Sequence, residues 1–261
     1  MPEAFYTREG PWFLPTDLTR GPWSAEHQHA GPPAALVARA MEQLEPALPV
    51  ARFTMEILRP IELGRLEIHA NIIRETRRTQ FVEATLADDD GELALAAAWR
   101  VRGEAVETAL EPLPHPLPAD SGEAAFWEPP WGASYFSATE WRLAAGDLAT
   151  AGPAAVWIRM RVPLIEGEEP SPLARVLVAA DSGNGISAVL SFQDHLFVNT
   201  DLTVHLPRPP GGEWVLLDAE TRVGPGGIGL AESRLWDERG LLGRGAQTLL
   251  VAPRHNQGED R

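Results

Sequence analysis

Apolar and polar residues alternate along three stretches of the first half of the chain. Phe53, Met55 and Ile57 alternate with Thr54 and Glu56, and Leu66, Ile68, Ala70 and Ile72 with Glu67, His69 and Asn71. Val82, Ala84 and Leu86 alternate with Glu83 and Thr85. A period of two belongs to strands with one buried face, so these segments predict half-buried antiparallel strands. The separators read as turns. Asp88-Asp89-Asp90-Gly91 supplies the glycine that a tight hairpin needs for positive φ, and Pro60, with no N–H for a ladder, ends its strand. Ahead of this block the period changes to 3.6. From Gly31-Pro32-Pro33 onward, Pro33, Leu36, Val37, Ala40, Met41 and Leu44 form one stripe, which predicts a helix packed on a sheet.

The pattern then returns. Residues 51–102 overlay 200–251 at a constant offset of 149 without a gap, and ten of the 52 pairs are identical. The matches fall on structural punctuation: Thr54 with Thr203, Arg59-Pro60 with Arg208-Pro209, Glu83 with Glu232, Leu86 with Leu235, Asp88 with Asp237, Gly91 with Gly240. This reads as an internal duplication, with chance matching of two generic hairpins as the alternative. The second block is also preceded by a helical stretch, opened by Ser171 as N-cap and Pro172 in the first turn. Its stripe is Leu173, Val176, Leu177, Ala180 and Asp181, so a carboxylate stands where the first stripe has Met41. A charge on a buried stripe is costly unless it is partnered or put to use. Alternatively the helix ends at Ala180 and Asp181 caps it or turns outward toward Ser182-Gly183-Asn184-Gly185.

Composition narrows the chemistry. With 261 residues, 44% of them hydrophobic, the chain can build one large domain or two small ones with real cores. It contains no cysteine, which excludes disulfides, thiolate metal sites and a cysteine nucleophile, and no lysine, which excludes Schiff bases and P-loop chemistry. The first residues lack a signal-peptide pattern, and no window approaches the ~18 apolar residues of a membrane span. A cytoplasmic chain without membrane insertion is therefore expected. The net charge of −15 repels phosphate backbones, so nucleic acid is not an expected partner. Gly224-Pro225-Gly226-Gly227-Ile228-Gly229 fits a dinucleotide fingerprint by letter, but it lies between two strands with no helix start and reads as a hairpin turn. Glu26-His27-Gln28-His29 offers two imidazoles that diverge on a strand and no third ligand, so neither a metal nor a cofactor is expected. No G-x-S-x-G elbow occurs.

Four segments, HAGPPAALVARAM, SPLARVLVAADSGNG, VNTDLTVHLPRPPGGEW and GLLGRGAQTLLVAPR, in this order and spacing, resemble the acyl-CoA thioesterase-like family, in the branch related to acyl-CoA thioesterase II. The resemblance implies an α+β double hotdog, two tandem repeats in each of which an antiparallel sheet wraps a long helix, with the sheets joined across the repeat interface. The expected bounds are 1–110 and 132–254, with a Pro-rich linker at 111–131 and a tail at 255–261. It implies hydrolysis of an acyl-CoA thioester bound where the halves meet, without a cofactor. In the family an Asp on the second helix, a Thr or similar residue near the start of the following strand, and a Gln on the last strand position and activate a water. Here those places are matched by Asp181, Asn199 and Gln247, with Thr200 beside the departure at Asn199.

The duplication gives these three an internal comparison, because their partners in the first copy are Met41, Val50 and Ala98, all apolar. Asp181 is expected to act as general base with its pKa raised by burial. Strict alternation sets Asn199 on the face opposite Leu202, Val204 and Leu206, so it reaches an inward site only from the interdomain side or across a bulge. His29 and Gly31 are expected to border the substrate cleft, a local cap being the other reading of His29. Arg59 and Arg208, each before a proline, either grip coenzyme A phosphates or serve the scaffold as paired repeat positions. A homo-oligomer through sheet edges or faces, a non-catalytic acyl-thioester binder, and a hotdog enoyl-CoA hydratase are the remaining expectations. Against the last, His205 with Asp201 lacks the hydratase spacing.

Overall fold

The computed structural model describes residues 4–117, 124 and 129–254, so the tail at 255–261 and much of the Pro-rich linker lie outside the described residues. The first half contains a hairpin of β1 (Tyr6–Glu9) and β2 (Trp12–Pro15), then α1 (Gly31–Glu42), β3 (Val50–Ile57), β4 (Glu67–Glu75), β5 (Thr79–Asp88) and β6 (Gly91–Val101). The second half begins with the short α2 (Tyr135–Ala138), β7 (Thr139–Ala145), β8 (Ala154–Met160) and α3 (Pro172–Ala180). It continues through one-turn α4 (Gly183–Ile186), β9 (His195–Asn199), β10 (Asp201–His205), β11 (Val215–Val223), β12 (Ile228–Asp237) and β13 (Gly240–Pro253).

One antiparallel sheet of 11 strands runs through both halves in the order β4-β5-β6-β3-β10-β13-β12-β11-β8-β7, with β9 also paired to β13. The halves join at β3 and β10, the strands that carry the repeated string. Thr54 lies opposite Thr203, its own repeat equivalent, and their hydroxyls are 3.1 Å apart. Phe53 lies opposite Val204 and Met55 opposite Leu202, so the junction has the self-complementary pairing of a two-fold interface. The repeat offset carries through the ladders as well. In β5 Leu86 faces Ala94 and Ala87 faces Glu92; in β12 Leu235 faces Gly243 and Trp236 faces Leu241, which is the same irregularity at the same place.

The sequence pattern accounts for these elements. Val82, Ala84 and Leu86 are buried along β5, and the two hairpin glycines have φ of 118° at Gly91 and 124° at Gly240. The Ser171 hydroxyl accepts the Ala174 N–H at 3.1 Å, capping α3 as expected. α1 packs on β3, β4 and β5, α3 packs on β8 and β11, and the two helices pack on each other, so one apolar core spans both halves. Gly224 and Ile228 close the β11–β12 hairpin, and the glycine pattern there is a turn. Among the described residues no helix is long and apolar enough to cross a membrane.

Candidate active site

Asp181 is the C-cap of α3. The helix ends at Ala180, yet the carboxylate turns inward and is only 4% exposed. The chain can bend there because Gly183 follows, where a Cβ would sit 2.7 Å from Ser233 Oγ and 3.0 Å from Gln247 Oε1. Asp181 Oδ1 accepts hydrogen bonds from Asn199 Nδ2 at 2.9 Å and Gln247 Nε2 at 3.1 Å. Gln247 also donates to the Asp181 main-chain oxygen at 3.0 Å, while its Oε1 accepts the Asn184 N–H at 3.0 Å. Its amide is thereby committed to holding the turn after α3 against β13.

Asn199 reaches the carboxylate across a bulge. It faces Leu249, whereas Thr203 faces Ala246, so four steps along the β9–β10 segment match three along β13. The extra residue is Thr200, and it reverses the parity that would have pointed Asn199 away from the core. The first half has the same slip, since Val50 faces Arg100 and Arg52 faces Trp99, and Val50 is buried like Phe53 and Met55.

The fourth member comes from the other half. His29 Nδ1 lies 3.0 Å from Asp181 Oδ2 and 3.2 Å from the Gly31 nitrogen, whose N–H is shared with the Asp181 carboxylate. Its ring stacks on Tyr135 with centroids 3.7 Å apart and planes 5° apart. Tyr135 Oη donates to the Val178 carbonyl at 2.8 Å and lies 2.8 Å from Ser182 Oγ, which fixes the stack to the end of α3. Gly31 allows this approach: a Cβ there would meet Val178 O at 2.5 Å. Burial pushes the Asp181 pKa up to about 7, against the bonds from Asn199, Gln247 and the Gly31 and Ala30 N–H groups at the start of α1. Burial also pushes His29 down to about 3. Each member of the pair therefore resists carrying charge.

His29, Asp181 and Asn199 form part of the wall of a cleft of about 530 Å³ between the halves. Trp23, Phe136, Trp141, Phe192, Leu196 and Val198 make much of its apolar surface, and Trp23 stacks on Phe192 at 5.3 Å. Of the residues expected at the site, the structure brings together Asp181, Asn199, Gln247 and His29. Thr200 lines the cleft but is exposed, with its hydroxyl 3.4 Å from the Thr248 carbonyl. Gly31 lies behind His29, off the cleft wall, where it serves packing. Arg208 is not brought to the cleft. Its guanidinium donates to both oxygens of buried Asp237 at 2.7 and 2.6 Å, pinning the end of β10 to the β12–β13 hairpin. Arg59 lines the cleft and pairs with a single oxygen of Asp88, the repeat equivalent of Asp237. Tyr135, Ser182 and the aromatic wall had no signal in spacing or period.

The acyl-CoA thioesterase C-terminal domain pattern matches residues 111–251 and the N-terminal domain pattern matches 19–101; the chain belongs to the acyl-CoA thioesterase family. It is a thioester hydrolase. No curated protein sequence gives a significant match. A Thermobifida fusca protein described as a candidate thioesterase II is similar to it at 17% identity and TM-score 0.74, over 96% of this chain and 95% of that one. The Mycobacterium avium subspecies paratuberculosis tesB protein is similar at 17% identity and TM-score 0.67, over 95% and 96%. A protein of unknown function with a hot dog fold from Alicyclobacillus acidocaldarius is similar at 18% identity and TM-score 0.71, over 96% of each chain. At these identities the likeness is one of fold.

Proposed function

We propose that this protein is a double-hotdog acyl-CoA thioesterase that hydrolyses its substrate by direct attack of water at a site centred on Asp181. The two repeats are 1–110 and 132–254, joined by the linker at 111–131, and acyl-CoA occupies the cleft between them with its acyl group against the aromatic wall. The carrying observation is a buried carboxylate, bonded to Asn199, Gln247 and His29, at the wall of an apolar cleft of about 530 Å³. The equivalent places in the first half are closed by buried Met41, Val50 and Ala98. The chain has no cysteine, so no thiol can form an acyl-enzyme.

In this reading Asp181 supplies the negative charge that drives deprotonation of water. Asn199 and Gln247 hold the carboxylate in place, and Asn199 does so where the family carries Thr, because its Nδ2 reaches Oδ1 directly. The test is release of free thiol from a panel of short, medium, branched and aromatic acyl-CoAs. Wild type should release thiol while Asp181→Asn does not, with Gln247→Ala reduced. Full activity in both variants would remove the site.

A further inference from the structure

The bonding around Asp181 leaves a question about where the water's proton goes. Oδ1 already accepts two amide N–H groups, and Oδ2 faces His29 Nδ1. The imidazole is held from its face by Tyr135 and at Nδ1 by the Asp181 carboxylate. Its other nitrogen, Nε2, has no hydrogen bond among the described residues, and it is not one of the sealed side-chain atoms that lack a partner. It therefore keeps an accessible surface, and His29 lines the cleft. The chemically free atom of the site is thus on the histidine.

We propose that His29 is a catalytic residue whose Nε2 takes the proton of the attacking water, while Asp181 orients the imidazole and balances the charge it acquires. This rests on the hydrolytic reading above. With Asp181 ionised, the Gly31 N–H has the carboxylate as its acceptor, and Nδ1 is free to carry the proton it donates to Oδ2. That selects the tautomer whose Nε2 lone pair is left for the cleft. Water oxygen bonds to the thioester carbon as its proton moves to Nε2, and the carbonyl becomes an oxyanion. The oxyanion then re-forms the carbonyl, the C–S bond breaks with its electron pair on sulfur, and Nε2–H returns the proton to sulfur. The products are a carboxylic acid and a free thiol, with no co-reactant beyond water. The base comes from the first half and its orienting carboxylate from the second, so the site is complete only when the two halves meet.

His29→Asn separates this role from a structural one. Its amide N–H stands close to the Nδ1 position and keeps a donor to Asp181, but nothing replaces Nε2. We expect kcat to fall by about 100-fold or more with KM within about threefold. In His29→Ala, added imidazole should restore part of the lost rate. Wild-type kcat in His29→Asn overturns the proposal and leaves the thioesterase reading standing, because turnover survives. Wild-type protein that hydrolyses no acyl-CoA overturns both. An independent check needs no variant: ¹⁵N NMR of histidine-labelled wild type at pH 8 should show His29 protonated at Nδ1, and a neutral ring protonated at Nε2 would sink the assignment.

Discussion

Strands β5 and β12 have equivalent bounds, equivalent partners and the same irregularity beside Leu86 and Leu235, yet the interiors they help to close differ in kind. In the first half Met41, Val50 and Ala98 are buried and apolar; in the second their counterparts Asp181, Asn199 and Gln247 bond to one another. The difference teaches how a duplicated scaffold acquires polarity at low cost. The Asn199 and Gln247 amides both donate to Asp181 Oδ1, Oδ2 is met by His29 across the interface, and the rest of the Gln247 amide is met by backbone at the turn after α3. The first half contributes an imidazole and a closed core, the second the carboxylate.

The strongest way to break that comparison is Asp181→Asn, which makes the second interior neutral like the first. Hydrolysis should fall by about 10³-fold or more, measured as thiol release. Stability should rise at pH 8, by the order of 2 kcal/mol, because an ionised buried carboxylate is replaced by a neutral amide that can still accept from Asn199 and Gln247 and donate to His29. Denaturant unfolding of both proteins checks this. Lower stability in Asp181→Asn would mean that the charged form is better solvated inside the fold than its burial implies.

The two Arg-Asp clasps sharpen the comparison on the structural side. Arg208→Ala leaves Asp237, whose side chain is 1% exposed, with the longer Arg239 contact at 3.4 Å and two backbone N–H donors, and should cost about 3 kcal/mol. Arg59→Ala affects a pair whose side chains are 34% and 16% exposed, so its loss should be clearly smaller. Urea midpoints of the two variants decide it. Equal losses would show that the clasps are energetically equivalent despite their different burial.

The legible part of the molecule was its repeat. The period of two, the hairpin glycines, the Ser171 cap and the offset at Thr54 and Thr203 state local rules that tertiary packing did not override. The position of Asp181 on a core stripe was readable for the same reason. The bulge at Thr200 was hidden in the second copy, where Asn199 is polar. It was nonetheless written in the first, where buried Val50 is out of step with Phe53 and Met55. Arg208 illustrates the opposite failure, since an arginine ready for phosphate and one ready for a hairpin carboxylate look alike until Asp237 is seen beside it. Strands β7 and β8, the His29–Tyr135 stack and the aromatic wall depend on contacts between distant segments, which no local period encodes.

The pH response tests whether Asp181 and His29 act as one unit. If ionised Asp181 drives the reaction, kcat/KM should rise with pH and level off near pH 7, the value to which burial pushes it. For stability, a carboxylate raised from 3.8 favours the fold below that value and loses the contribution as pH rises through about 7. His29, lowered from 6.5 to about 3, has the opposite sign: its contribution is present above 6.5 and is lost as pH falls toward 3. Between about pH 4 and 6.5 the two slopes cancel in wild type. Asp181→Asn leaves the His29 slope alone, so its stability advantage at pH 8 should shrink at pH 5. An advantage unchanged with pH would separate the two groups.

The smallest effect probes the junction itself. The Thr54 and Thr203 hydroxyls meet at 3.1 Å across β3 and β10, at positions related by the repeat. Removing either by Thr→Val leaves the other without this partner and should cost about 1 kcal/mol. Because the pairing around them is self-complementary, the two single variants should agree within about 0.3 kcal/mol. The double variant should cost less than their sum, since the second substitution removes a hydroxyl already deprived of its bond. Unequal single losses would show that the halves have diverged in packing even where they meet, which would confine the symmetry to the backbone ladder.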